Sequence, residues 1–265
     1  MRIADPSTSS GQVFGIRNEE PASALRRSLA AFIIGGLILI LLWLPPLPIT
    51  LRASDLPHAF FEFLSFFRGI KLSEAWPLRW EYLFFPLFSF YALWMTLESH
   101  ISLKEAGLST SSFVGALRYL WWPTLLGAMV LLGMGVLCHS VEITPRFWKR
   151  LNPIPGFFQQ MVIQLFFYRQ LAPWFGTGRK TVWILAFFFM ILHAPNPGLM
   201  MGTLFGMYFW VRCYQQQPNL YALALSHAFL SALLMHTMPK WLLPSVSVGH
   251  RFVEKGIAQG WWTSF

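Results

Sequence analysis

A succession of apolar runs, each near the length that crosses a bilayer, decides what this chain can fold into. They lie at Leu29–Pro45, Tyr82–Leu97, Tyr119–Cys138, Phe157–Leu171, Thr181–Ala194, Gly198–Val211 and Leu220–Met238. A helix crossing a hydrocarbon core of about 30 Å needs roughly 20 mostly apolar residues. Backbone amides in lipid have no water to pair with, so such runs close their hydrogen bonds internally as helices. The expected fold is therefore all-α, a polytopic membrane helical bundle of about seven transmembrane helices. Composition agrees: hydrophobic residues make up 55% of the chain and charged residues 12%, too few charges to cover a soluble domain of 265 residues.

Residues 1–27 are rich in Ser, Pro, Gly and Glu, lack an apolar period and read as a mobile polar leader. Arg26 and Arg27 close it, but the run that follows is not a signal-peptide core. Its length exceeds that of such cores, and Pro45-Pro46 offers no small-residue cleavage site. The breaks Arg146–Pro155, Pro173–Lys180, Pro195–Pro197 and Gln215–Asn219 are too short for domain linkers, so residues 28–245 are expected to form one transmembrane domain. Residues 246–265 then make a short C-terminal tail. The aromatic stretch Ala59–Phe67 is too short to span and carries Glu62, which suits an interfacial helix.

Net charge is +9, yet Lys and Arg are scattered among apolar runs, so anionic lipid of the bilayer is the expected counter-charge and nucleic acid is not a partner. The two cysteines, Cys138 and Cys213, suit separate buried positions better than a bridge. Arg17, Arg26 and Arg27 favour a cytoplasmic N-terminus by the positive-inside rule, although Arg52, Arg68, Lys71 and Arg79 then fall on the other side.

Polar side chains within apolar runs carry the most information, because without water each needs a partner. They are Gln160, Gln164, Arg169, His193, His227, Ser231 and His236. His193 ends the run Phe187–Leu192 and is followed at once by Ala-Pro-Asn-Pro, a helix boundary where a nearby carbonyl satisfies an imidazole. His227 sits mid-run with Ser231 four residues on, on one helical face. Ser226 and Ser231 are the local groups that would satisfy it. Two intramembrane histidines on separate helices also suit proton transfer or metal binding. Gly198, Gly202 and Gly206 recur every four residues, a packing pattern that allows close backbone approach and would hold the helices of His193 and His227 together.

Taken in order, these features resemble the CPBP family of intramembrane peptidases, which includes the prenyl-protein CAAX endopeptidases and the abortive-infection proteins. The family pattern is Glu-Glu-x-x-x-Arg, then Phe-x-x-x-His, then His-x-x-x-Asn or Asp. Phe189-Met-Ile-Leu-His193 matches the second motif, and His227-Ala-Phe-Leu-Ser231 matches the third at its histidine, with Ser at the last place. Lys104-Glu-Ala-Gly-Leu108 is also similar to the family in style, and the likeness covers about residues 103–238. Aligning Tyr168-Arg169 on the first motif places Gln164 and Leu165 where two glutamates belong, and from Ile143 to Val253 there is no Asp or Glu at all.

The resemblance implies cleavage of a peptide by a water polarised between a glutamate and the histidines, and it marks His193, His227, Gln164, Arg169 and Ser231 as the catalytic positions. A carboxylate takes a proton from that water; a Gln amide has no protonation equilibrium near neutral pH with which to do so. No cofactor is expected, and zinc enters only on the family's metal reading, since a catalytic zinc usually has three strong protein ligands. Three readings follow. The first is a catalytically degenerate homologue that binds a membrane segment or partner protein. The second is a working endopeptidase whose base is Glu142 or Glu98, which are also the acids named to pair Arg169. The third is a small transporter or membrane-complex assembly factor with a histidine relay. Each is an integral membrane protein, placed by the resemblance in a bacterial inner membrane.

Overall fold

The computed structural model describes residues 29–30, 33–38, 40, 80–99 and 101–261. The polar leader and the interfacial helix expected at Ala59–Phe67 lie outside these residues. Among the described residues there is no strand, and the architecture is an all-α membrane-type bundle. Part of the first apolar run, 33–38, is helical, and its Ile34 and Ile38 pack against the main core.

The named helices are α1 (Trp80–Glu98), α2 (Phe113–Leu137), α3 (Pro145–Arg150), α4 (Ile154–Gln160), α5 (Arg169–Phe175), α6 (Arg179–Ile191), α7 (Pro197–Gln216), α8 (Leu220–Thr237) and α9 (Gly249–Ala258). Each expected run from Tyr82 onward is helical. Two helices are long and apolar enough to cross a membrane by length and composition, Thr110–Leu137, which is α2 with the turn before it, and Leu220–Thr237. The break expected at Arg146–Pro155 contains α3, with Pro145 at its start and Lys149 and Arg150 in its last turn, where cations favour the helix dipole. The stretch left as a tail contains α9, whose Phe252 is buried against Trp261.

Local chemistry explains the boundaries. Asn196 and Asn219 cap α7 and α8, their side-chain oxygens accepting from Leu199 N–H at 3.3 Å and Ala222 N–H at 2.9 Å. Gly176, at φ 79°, ends α5 in a conformation that a β-carbon disfavours. Between α4 and α5 the chain winds as a π-helix from Met161 to Tyr168, and every residue of that segment is buried. It is the centre of the bundle. Phe166 meets Phe88 of α1 edge-on with centroids 4.8 Å apart, and Phe167 meets Phe188 of α6 at the same separation. Such pairs matter here because lipid is as apolar as the core, so association rests on packing rather than on leaving water.

α2 turns much of its surface outward, with Val114, Trp121, Trp122, Val130 and Val136 all exposed. An apolar helix exposed in this way faces hydrocarbon. Its neighbours on the other side are α7 and α8. Cys213 is buried as expected, but Cys138, at the end of α2, is exposed; both thiols are free. The expected role of the glycine stripe needs correcting. A β-carbon at Gly198 would lie 2.8 Å from Leu242 O, one at Gly202 3.1 Å from Leu234 of α8, and one at Gly206 3.0 Å from the Trp210 ring. The stripe thus faces α8 and the segment after it and makes room for an indole, while α6 packs along α7 through other residues.

Candidate functional site

Four elements converge on His227. α4 approaches closely because Gly156 has no side chain; a β-carbon there would sit 3.3 Å from the imidazole Cγ and 3.4 Å from Ala224 O. α7 contributes Trp210, stacked on the imidazole with centroids 4.5 Å apart and planes 17° from parallel. Gln160 ends α4, and Gln164 follows one turn on within the π segment, both fully buried. Gln164 Nε2 donates to Gln160 Oε1 at 3.1 Å, and Gln160 Nε2 faces His227 Nδ1 at 3.5 Å. π-helical winding is rare and recurs at functional sites.

The hydrogen bonds assign the tautomers. Gln160 uses its oxygen on Gln164, so its amino group points at His227 Nδ1, and the imidazole carries its proton on Nε2. His193 lies in the turn after α6, its Nδ1 2.8 Å from Phe189 O. A carbonyl only accepts, so His193 donates from Nδ1 and keeps Nε2 as a bare acceptor. The two imidazoles are close enough for their charges to interact. Across this cluster the chain presents a donor at His227 Nε2, an acceptor at His193 Nε2, and Gln164 Oε1, a buried oxygen with no hydrogen-bond partner among the described residues.

Ser226 does not satisfy His227. Its hydroxyl accepts from Trp210 Nε1 at 3.1 Å and pairs with Thr124 Oγ1 at 2.7 Å. Ser231 is half-buried one turn beyond His227, and no hydrogen bond joins it to the cluster among the described residues. His236 belongs elsewhere: Nδ1 donates to Ala232 O at 2.8 Å, Nε2 meets Thr144 Oγ1 at 3.3 Å, and Phe147 lies edge-on to the ring. Glu98 and Glu142 are exposed, and Glu142 engages the fold through its backbone N–H on His236 O at 2.8 Å. No hydrogen bond or ion pair ties either carboxylate to His193 or His227 among the described residues.

Arg169 is held by neither of the acids named, and its contact with Glu105 is to backbone. Its Nη2 donates to the backbone oxygen of Glu105 at 3.2 Å, and the guanidinium also meets the Tyr214 hydroxyl, which itself donates to Ala106 O at 3.1 Å. The Glu105 carboxylate accepts from Ser102 Oγ at 2.7 Å and Ser102 N–H at 3.0 Å, while Ser102 Oγ accepts in return from Glu105 N–H at 3.2 Å. Ser102's hydroxyl first, then its backbone N–H, hold the Glu105 carboxyl below the usual carboxylate range, and the Arg169 charge adds to this. Gly107, at φ 73°, tightens this turn against Asn219, and Leu220 N–H donates to Gly107 O at 2.8 Å. Arg169 therefore ties the π segment to the turn before α2 and to the α7–α8 junction.

Trp210, Glu105 and Tyr214 were not singled out as site residues from the sequence. Lys104-Glu-Ala-Gly-Leu108 was the one available signal for Glu105. For Trp210 it was the spacing of four from Gly206.

Residues 142–233 match the family model described as Type II CAAX prenyl endopeptidase Rce1-like. That segment is similar to an Rce1-like domain. It contains Gln164, Arg169, His193, His227 and Ser231, and it begins later than residue 103, where the resemblance was first drawn. No curated protein and no solved structure matches the chain. The donor set in the matched segment is two imidazoles and two carboxamides. Among the described residues no three His, Cys, Asp or Glu side chains gather as metal ligands, so the residues present do not fit a catalytic zinc.

Proposed function

We propose that this CPBP-like membrane protein is a catalytically silent Rce1-like homologue that binds a membrane segment or partner protein at the His227–Gln164 cluster without cutting it. The observation that carries the reading is the Gln164 side chain: its amino group is committed to Gln160, and its buried oxygen has no partner among the described residues. An amide at this place takes no proton from water, so the step requiring a general base has no agent there. It does accept a hydrogen bond. With His227 Nε2–H as donor in the same cluster, the site offers partners for the N–H and C=O of one peptide group, whose unpaired state in lipid is costly. A peptide bound this way is an unwound stretch of a membrane helix, since a continuous helix has already spent these groups. The expected bacterial inner membrane and cytoplasmic N-terminus belong to this reading.

The test uses the full chain in lipid nanodiscs with synthetic membrane-embedded and prenylated peptides. Mass spectrometry is expected to show no cleavage by the wild type, and none by Gln164→Glu, because Leu165 and Ser231 also depart from the family motif. Gln164→Leu is expected to weaken peptide binding about tenfold, the loss of one buried hydrogen bond. Site-specific cleavage by the wild type that disappears in Glu98→Gln or Glu142→Gln overturns the proposal in favour of an active peptidase. Cleavage that survives both changes but is lost in His193→Ala overturns it in favour of a histidine mechanism.

A further inference from the structure

Between α7 and α2 lies a groove of about 270 Å³ lined by Tyr119, Trp122, Pro123, Tyr208, Phe209 and Arg212, with Tyr208 also packed on Trp183 of α6. Five of these side chains are aromatic or aliphatic and one is a permanent cation. Arg212 is half-buried, and its recorded hydrogen bond is from Nη1 to Gln215 Oε1 at 2.8 Å. A guanidinium has five N–H donors. Among the described residues Arg212 forms no ion pair, and the nearby acid on the same end of the bundle, Glu105, is engaged by Ser102.

The depth of the groove indicates what occupies it. The start of α2 and the α7–α8 junction are pinned together at one end of the bundle: Ser112 Oγ donates to Pro218 O at 2.8 Å, and Asn219 Nδ2 donates to Ser109 O at 2.9 Å. Non-helical backbone is not tolerated against hydrocarbon, so a polar seam of this kind belongs at the membrane surface. Arg212 lies one helical turn in from the end of α7, about 6 Å at the rise of an α-helix. That is the thickness of the headgroup region on one side of a bilayer. Trp122 lies about 13 Å in from the start of α2, at the level of acyl chains. A cation at phosphate depth above an aromatic-walled groove at hydrocarbon depth fits a molecule with an anion at one end and methylenes at the other.

We infer that this groove binds one anionic phospholipid, its phosphate on Arg212 and its upper acyl chain between Tyr119, Trp122 and Tyr208. Neither the CAAX-type cluster nor its chemistry is involved.

The full chain is reconstituted in nanodiscs of equal phosphatidylglycerol and phosphatidylcholine, extracted gently, and its retained lipid counted by native mass spectrometry. The wild type is expected to retain one phospholipid with about fivefold preference for phosphatidylglycerol, the effect of a single basic side chain near the surface. In Arg212→Gln the preference falls to about one, and Arg212→Lys keeps most of it. Arg146→Gln, at the other end of the bundle, leaves it unchanged. Undiminished preference in Arg212→Gln, equal retention of both lipids by the wild type, or displacement of the lipid by inorganic phosphate overturns the inference. Trp122→Ala alters a side chain that is 54% exposed, so the fold tolerates it. It is expected to lower retention of both lipids at least threefold, and unchanged retention overturns the inference independently of Arg212.

Discussion

The indole of Trp210 lies flat against the imidazole of His227 while its N–H reaches past the ring to Ser226. One side chain thus fixes the ring plane of the histidine and satisfies the serine that stands beside it on α8. Trp210→Phe keeps the flat face and removes the donor, so a loss of about 1 kcal/mol is expected. Trp210→Ala leaves a cavity behind His227 and should cost about 3 kcal/mol or more. Thermal unfolding in a fixed detergent reads both; equal losses would show that the hydrogen bond, not the stack, holds the ring.

Gln160 and Gln164 are bonded to each other, and both side chains are buried. Gln160→Leu strands the Gln164 amino group, at an expected cost of about 1–3 kcal/mol. The pair Gln160→Leu with Gln164→Met removes both ends of the bond and should cost less than the sum of the single changes. A double-mutant cycle on unfolding midpoints measures the difference.

Arg169→Leu should lower the melting temperature by several degrees, because Glu105 O and the Tyr214 hydroxyl lose a charged donor within the packed junction. Arg169→Lys, a point charge without the fork, should recover part of it. An unchanged melting temperature in Arg169→Leu would mean that the guanidinium is solvated instead.

The turn at Ser102–Glu105 gives the fold a pH dependence of known sign. The Ser102 hydrogen bonds hold the Glu105 carboxyl below its ordinary value of 4.5. Its contribution is therefore fully present above about pH 4.5 and is lost as pH falls from there through the folded value. Melting temperatures compared at pH 7 and pH 4 should fall less in Glu105→Gln than in the wild type. The variant already lacks the charged acceptor and starts from a lower value.

Gly135 marks a close helix crossing. A β-carbon there would lie 2.8 Å from both Thr237 Cβ and Val141 Cγ2, and 2.9 Å from Thr237 O. Backbone cannot step aside as a side chain does, so Gly135→Ala should destabilise by about 1–3 kcal/mol. Gly202→Ala meets only the flexible end of Leu234 and should cost less. Unfolding midpoints of the two variants, measured side by side, check the order.

Much of the bundle was legible in its apolar runs because lipid leaves a chain few options, whereas the caps at Asn196 and Asn219 emerged only in the fold. α3 and α9 were not legible. α3 is six residues long, and α9 has a polar face that reads as loop when no partner is known. At the site the histidines and both glutamines stood out as polar residues in apolar runs. Their partners did not, since Trp210 and Glu105 are remote in sequence from His227 and Arg169 and are brought to them only by packing. Glu98 and Glu142 drew attention by proximity to histidines along the chain, His100 and His139. Sequence neighbours at a helix end are thrown in different directions, and both acids end at the surface.

The π winding between Met161 and Tyr168 has a consequence for the length of this helix. Gln164 serves the histidine cluster and Arg169 serves the turn at Glu105, five residues apart. At α-helical pitch five steps turn the side chain by a net angle of roughly 140°; at about 4.4 residues per turn they turn it by only roughly 50°. Four steps at α-helical pitch give roughly 40°. The segment thus carries one residue more than a regular helix needs to keep the two side chains in phase, and the slack is taken up as overwide turns. A chain shortened by one residue between Leu165 and Tyr168 has an ordinary helix available with both ends still aligned, whereas one lengthened by a residue has none.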